Sequence, residues 1–424
     1  MNILILSTDD HLGAGKAAFR MFEALSMGDM KVMMLVCNKK SRTDRVILYK
    51  RSIRTKLTPV AKRLLAWNRP PHLTAFNPNR DYYFFGASEY DTAFDVNDIL
   101  SVINRGVDIV IFTWVSRFLS TSDLIKIKKR TGAVFLAYPL DMSLFTGGCH
   151  YAWDCKGYQT DCTKCPAIQQ TGFKDLAADI LTRKRRAYER IGVKWLAGSS
   201  GLKSQIASSP LVQGAEVNLL RLPINQSVFN TQKRGHIFDL SAGNEKRRTI
   251  LFGATVTSER RKGFSHFIEA LNRLKKSGSV TDAQPTKVML MGNADTSARF
   301  SIPGFEIEYV GYINDDTRLS ALYQSVDIFV NCSLEDSGPM MLIEAVLCGC
   351  VAVAYDTGVA PDVVLDGESG FLVPIGDIDA LADRLRKLMI MSPGRLHKMS
   401  SAAAAFSATL YSYDIFRAGI SELA

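Results

Sequence analysis

No apolar run in this 424-residue chain reaches the ~18 residues that a membrane-spanning helix needs. A basic leader is also missing. Met1-Asn2-Ile3-Leu4-Ile5-Leu6-Ser7 meets Asp9-Asp10 too soon for a signal peptide and reads as a first buried strand. A cytoplasmic location is therefore the expectation. There is no internal repeat and no low-complexity tract, and no zinc-finger, helix-turn-helix or RNA-recognition signature accompanies the bases, which argues against nucleic acid as a partner. What is present is an ordinary globular composition, 47% apolar and 22% charged, in a length suited to two or three domains.

The formal charge of +10 needs an explanation, because charge speaks to partners rather than to fold. Much of the excess lies between Lys39 and Arg69, where bases alternate with Ile47, Leu48, Tyr49, Leu57, Val60, Leu64, Leu65 and Trp67. Such a segment suits either an anionic surface, at the inner face of the cytoplasmic membrane, or a solvated domain face.

Short apolar runs alternate with helical patterns along the first half, as they do in βαβ units. The rhythm breaks at Leu222-Pro223-Ile224-Asn225 and resumes at Thr249-Ile250-Leu251-Phe252-Gly253. Two successive α/β doubly wound halves fit this pattern, with ligands expected beyond the carboxyl ends of the strands, in a cleft between facing halves. The expected division is residues 1–225, 226–400, and a helical segment 401–424 that packs back on the first domain.

The most informative stretch runs from Asn331 to Gly349. A strand ends at Cys332, a loop carries Glu335 and Asp336, and Gly338-Pro339-Met340 opens a helix that carries Glu344 two turns further on. Free N–H groups at such a helix start suit phosphate, Asp336 can reach sugar hydroxyls, and Glu344 can accept from ribose hydroxyls. Upstream, Glu259-Arg260-Arg261-Lys262-Gly263 places cations at a predicted helix start, an unfavourable position unless an anion binds there.

The acidic-x7-Glu spacing of Asp336 and Glu344 resembles the motif of retaining glycosyltransferases of family 4, which have the GT-B fold of two Rossmann-like domains facing across a cleft. The family's first acidic residue is usually Glu. The Arg-Lys-Gly run resembles its diphosphate clamp, with Lys262 the best match and Arg260 or Arg261 supplying the second cation where many members carry Arg in place of Ala254. Val310-Gly311-Tyr312 resembles the loop beside the nucleotide base. Leu12-Gly13-Ala14-Gly15-Lys16 resembles the glycine loop that faces donor phosphate and acceptor.

Tyr138-Pro139-Leu140-Asp141-Met142 and Thr146-Gly147-Gly148-Cys149-His150 resemble a subgroup whose segment usually has His where this chain has Leu140. That resemblance places Asp141 and His150 on the acceptor side. It implies a hexosyltransferase that takes a nucleotide-diphosphate sugar and a carbohydrate or lipid-linked acceptor in surface-polysaccharide assembly, with no catalytic metal. A nucleotide-sugar epimerase of the same fold and a non-catalytic, zinc-stabilised nucleotide-binding scaffold are the alternatives.

Of the eight cysteines, Cys149, Cys155, Cys162 and Cys165 crowd into one insertion at residues 147–167, with spacings x5, x6 and x2. A structural zinc site, buried thiols and disulfides are all open, the last disfavoured in a reducing compartment. Asp377-Ile-Asp379 has a metal–diphosphate spacing, but its place before Ala380-Leu381-Ala382 reads as a helix cap.

Overall fold

A computed structural model describes residues 1–50, 79–90, 94–103, 106–212, 214–234, 248–256, 259–282, 285–293 and 300–423. Residues 51–69 of the basic interleaved segment and most of the polar connection, 235–247, lie outside the described residues. The chain divides into two compact units: Met1–Gly198 with Leu202–Leu222 and Phe416–Ala424, and Ser199–Gly201 with Pro223–Ile415. The chain end thus belongs to the first unit only from Phe416 onward, while 401–415 stay with the second.

The first unit holds strands Asn2–Leu6 (β1), Lys31–Val36 (β2), Val46–Leu48 (β3), Ile109–Phe112 (β4), Val134–Ala137 (β5), Val193–Ala197 (β6) and Val217–Leu219 (β7). All neighbours pair in parallel, in the order β3-β2-β1-β4-β5-β6-β7. Helices between them form where local chemistry starts and stops them. Over Thr121–Thr131, Ser120 and Asp123 exchange a reciprocal capping box, and Gly132 at φ 69° ends the helix in a left-handed turn. In the last helix, Tyr413–Glu422, Phe416 packs on Tyr138 and Arg417 donates to the Ala24 carbonyl.

The second unit holds Thr249–Val256 (β8), Thr286–Asn293 (β9), Phe305–Gly311 (β10), Ile328–Asn331 (β11), Val351–Tyr355 (β12) and Gly370–Val373 (β13), parallel in the order β10-β9-β8-β11-β12-β13. Both faces of this sheet are buried, which is why its strands read as continuous apolar runs. Alternation still assigns the faces. Ile250, Phe252, Ile328, Val330, Val351 and Val353 face helices Phe264–Lys276 and Ile378–Met389, while Leu251, Phe329 and Ala352 face Asp316–Ser325 and Met340–Leu347. Asp377 caps its helix by accepting from the Ala380 N–H at 2.9 Å, the role read for it in the sequence.

In each sheet the winding reverses once, between β1 and β4 and between β8 and β11. In an open parallel sheet, the strand ends at such a reversal are the usual ligand position, because the loops that leave them run to opposite faces.

Candidate active site

At the second reversal, the loop after β8 and the loop after β11 carry the sequence-predicted cations and carboxylate. Arg260–Lys262 form a single 3₁₀ turn ahead of the helix that starts at Phe264, so the bases stand before that helix and not within it. Gly263 follows in the left-handed region at φ 67°, and a Cβ there would stand 1.8 Å from the Cys332 carbonyl oxygen. Only glycine lets the basic turn press against the end of β11. Backbone bonds complete the join: Leu334 N–H donates to Arg261 O at 2.7 Å, and the Cys332 thiol donates to Gly263 O at 3.1 Å.

This backbone contact brings together side chains more than 70 residues apart in sequence. Lys262 Nζ donates to Asp336 Oδ2, and Arg261 Nη1 reaches the same oxygen at 3.4 Å. Arg261 Nη2 also pairs with Glu259 at 2.7 Å, and the Gly338 N–H donates to Asp336 Oδ1 at 3.3 Å. The Asp336 side chain is only 9% exposed, and those of Arg261 and Lys262 are 13% and 15% exposed. Burial pushes the Asp336 carboxyl up, but the two cations and the Gly338 N–H outweigh it and hold the group below its usual value. Burial, helped by the charge of Arg261, holds Lys262 below the usual lysine value in spite of Asp336. The two directions agree on the physics: a costly buried ammonium is kept charged by the carboxylate beside it.

Glu344 sits on the helix Met340–Leu347, buried at 2% exposure. Tyr323 Oη donates to its Oε2 at 3.0 Å, and burial raises that phenol well above its usual value. Pro339 stands one residue ahead of the helix, as its N-cap residue, and has no side chain to accept from the first N–H groups. Gly338 and Met340 flank it, half-buried, and Glu335 lies on the same loop. Gly311 closes β10 at φ 76°, and Arg260 is exposed on the basic turn. The structure therefore joins Arg261, Lys262, Asp336 and Gly338 directly and supports Glu344 through Tyr323.

In the first unit, Gly13 and Gly15 lie inside the first turn of the helix Gly13–Ser26. Asp9 Oδ1 fills the space beside Gly15, where a Cβ would stand 1.7 Å from it, and accepts from the Leu12 N–H at 3.4 Å. Burial raises the Asp9 carboxyl. The chain's own carboxyl group thus fills the space beside Gly15, while nothing stands within 4 Å of a Cβ at Gly13.

Asp141 and His150 form a buried pair, His150 Nδ1 to Asp141 Oδ2 at 2.7 Å, with the Ser143 N–H donating to Asp141 Oδ1 at 2.8 Å. Burial raises Asp141, but His150 and the Ser143 hydrogen bonds bring it below its usual value. Trp114 Nε1 also reaches His150 Nδ1 at 3.0 Å; one nitrogen cannot donate to the carboxylate and accept from the indole at once. The shorter, charge-assisted contact takes the proton. His150 Nε2 has no hydrogen-bond partner among the described residues.

Glu259, Tyr323 and Trp114 were not singled out as site residues from the sequence. Glu259 was legible as part of the charged run, whereas nothing in the local pattern around Tyr323 or Trp114 marks them.

Two Rossmann-like α/β units of this kind are the fold of the GT-B glycosyltransferases. The chain aligns over 100% of its length with a sucrose-phosphate synthase from Thermosynechococcus elongatus, at a TM-score of 0.62 and 14% identity, covering 98% of that chain. It aligns equally with Anabaena HepE in complex with UDP-glucose, at a TM-score of 0.62 and 13% identity, covering 99% of that chain.

Residues 236–406, which hold every second-unit side chain above, match the family described as glycosyl transferases group 1. The chain is 32% identical over 146 residues to a phosphatidyl-myo-inositol mannosyltransferase of Mycobacterium leprae, covering 34% of this chain and 37% of that protein. Against a D-inositol 3-phosphate glycosyltransferase of Mycobacterium avium it is 35% identical over 97 residues, 23% of each. The match spans 37% of the length of the first of these curated relatives and 23% of the second.

Proposed function

We propose that the chain is a glycosyltransferase of the hexosyltransferase type, which moves a sugar from a nucleotide-diphosphate donor to a carbohydrate or lipid-linked acceptor. The observation that carries this reading is the Arg261–Lys262–Asp336 cluster at the β8/β11 reversal, inside the segment that matches the glycosyltransferase family. Sugar transfer leaves a nucleoside diphosphate, and negative charge builds on it as the glycosidic bond breaks. Cations already fixed at that place lower the barrier without reorganising. Lys262 and Arg261 fill that role, Glu344 accepts from the ribose, and Asp336 turns to the sugar hydroxyls.

Retention of anomeric configuration, a place in surface-polysaccharide assembly and work at the inner face of the membrane belong to the same proposal. No helix among the described residues is long and apolar enough to cross a membrane. No metal enters the proposed chemistry, since the cations that meet the leaving group are side chains.

The test is a panel of UDP-, GDP- and ADP-sugars, with binding and hydrolysis measured for the native chain, Lys262→Ala and Glu344→Gln. Binding of one donor, weakened at least about tenfold in each variant, supports the reading, because a charge-assisted contact is worth about 1.5–3 kcal/mol. Folded native protein that binds no member of the panel refutes it. Conversion of the sugar with no acceptor present assigns the site to an epimerase instead.

A further inference from the structure

On the glycosyltransferase reading above, we infer that Asn331 binds the nucleotide sugar, its side-chain amide N–H groups donating to an oxygen of the diphosphate or of the sugar. Asn331 closes β11 and is 7% exposed. Side chains alternate along a strand, and Val330 and Cys332 pack in the core beneath helix Phe264–Lys276. Asn331 stands between them and therefore turns to the opposite face. That is the face of helix Met340–Leu347, where Leu342 and Ile343 pack with Phe329 and Ala354.

The amide is satisfied at one end only. Ser333 Oγ, at 1% exposure, donates to Asn331 Oδ1 at 3.0 Å and so fixes the amide. Nδ2 is buried and has no hydrogen-bond partner among the described residues. An amide nitrogen carries two donors, and a buried donor that makes no bond is destabilising, which is why most such groups in folded chains are paired. A bound ligand that supplies the acceptor accounts for such an orphan. Sites built to hydrogen-bond a substrate hold buried polar groups that are left unpaired when the matching group is missing.

The neighbours at this level of the sheet are small. Asn331 is in register with Ala354 of β12, and on β8 Gly253 follows Phe252, the partner of Val330. The side chain nearest to a Cβ on Gly253 is Met341, with its Cε at 2.5 Å. Met341 is half-buried, and an unbranched thioether adapts readily to a ligand.

Place in the chain fits the same role. The thiol of Cys332, the next residue, donates to the Gly263 carbonyl at 3.1 Å, and Gly263 ends the basic turn Arg260–Lys262. The amide thus stands at the carboxyl end of β11, beside the strand whose loop carries the cations. Lys262 and Arg261 answer the charge of a diphosphate. A neutral amide adds direction without adding charge, and it serves a phosphate oxygen or a hydroxyl oxygen alike.

The test is calorimetry with UDP, GDP and ADP, and with UDP-glucose, GDP-mannose and ADP-glucose, on the native chain and two variants. Asn331→Asp keeps the shape and the acceptor for Ser333 but puts an oxygen in place of Nδ2. Asn331→Leu/Ser333→Ala replaces both partners by apolar groups, so no buried polar atom of the pair is left unmatched. Each variant is expected to bind the native chain's ligand about tenfold more weakly. Thermal unfolding of the unliganded double variant is expected at or above the native temperature, a sign that a merely structural asparagine would not give. Equal weakening for diphosphate and nucleotide sugar assigns the bond to the diphosphate, and weakening confined to the nucleotide sugar assigns it to the sugar. Native affinity in either folded variant overturns the inference and leaves the glycosyltransferase reading standing. A folded native chain that binds none of these ligands overturns both.

Discussion

Asp336→Asn separates two consequences of the same ion cluster, and they have opposite signs. In the ligand-free chain the variant removes the carboxylate that Lys262 and Arg261 share. Breaking a fully buried ion pair costs about 3–5 kcal/mol, because a charge is left uncompensated. Here the side chains keep 9–15% exposure. Arg261 also keeps Glu259 at 2.7 Å. The loss expected is therefore smaller, about 1–3 kcal/mol, or a Tm lower by roughly 2–10 °C for a unit of this size.

A nucleoside diphosphate meets the reverse situation. In the native chain it must displace Asp336 from the cations; in the variant they are already released. Part of the same energy returns as affinity, up to about tenfold for each 1.4 kcal/mol. Sugar transfer falls, since Asp336 is the group assigned to the sugar. Differential scanning fluorimetry without ligand and titration calorimetry with UDP, GDP and ADP read the two signs separately. A variant with native Tm that binds every diphosphate more weakly than the native chain refutes the argument.

Gly263→Ala is expected to cost about 3 kcal/mol or more, because φ 67° and a Cβ 1.8 Å from Cys332 O cannot both be accommodated without moving the β11 loop; an unchanged denaturant midpoint would sink that expectation. Diphosphate affinity is expected to fall as pH rises through the depressed Lys262 value, below the ordinary 10.5, since the protonated form binds and is lost above its folded pKa. Arg261 stays charged and leaves a residual affinity. Calorimetry across alkaline pH on the native chain and Lys262→Arg checks this: a matching fall in the arginine variant assigns the titration elsewhere. At the acid end, the depressed Asp336 carboxyl contributes stability that is present above 3.8 and lost as pH falls through its folded value. Acid unfolding of Asp336→Asn is therefore expected to show a shallower dependence on pH than the native chain.

What the sequence determined by itself is local or periodic. Apolar runs such as Ile250-Leu251-Phe252 and Ile328-Phe329-Val330 announce strands buried on both faces, because a parallel sheet covered by helices leaves no polar side to alternate with. The cap at Asp377 is fixed within a few residues and is legible from spacing alone, whereas Glu344, read two turns into its helix, stands one turn past Met340 because Asp336 lies on the loop before it.

Tertiary structure decided which groups meet. The order β10-β9-β8-β11-β12-β13 sets β8 beside β11, and only then do Lys262 and Asp336 become partners. Tyr323 reaches Glu344 from a helix that covers the same face of the sheet, and Asp141 reaches His150 across a loop. The glycines after β1 show the limit from the other side. A resemblance implied a loop facing donor phosphate there; Asp9 fills the space beside Gly15 while that beside Gly13 stays open, and whether a glycine leaves room for a ligand or for a neighbouring carboxylate is settled by the packing around it. Hydrogen bonds between separate loops depend on positions a few ångströms apart in space and many residues apart in the chain, and no periodicity encodes that distance.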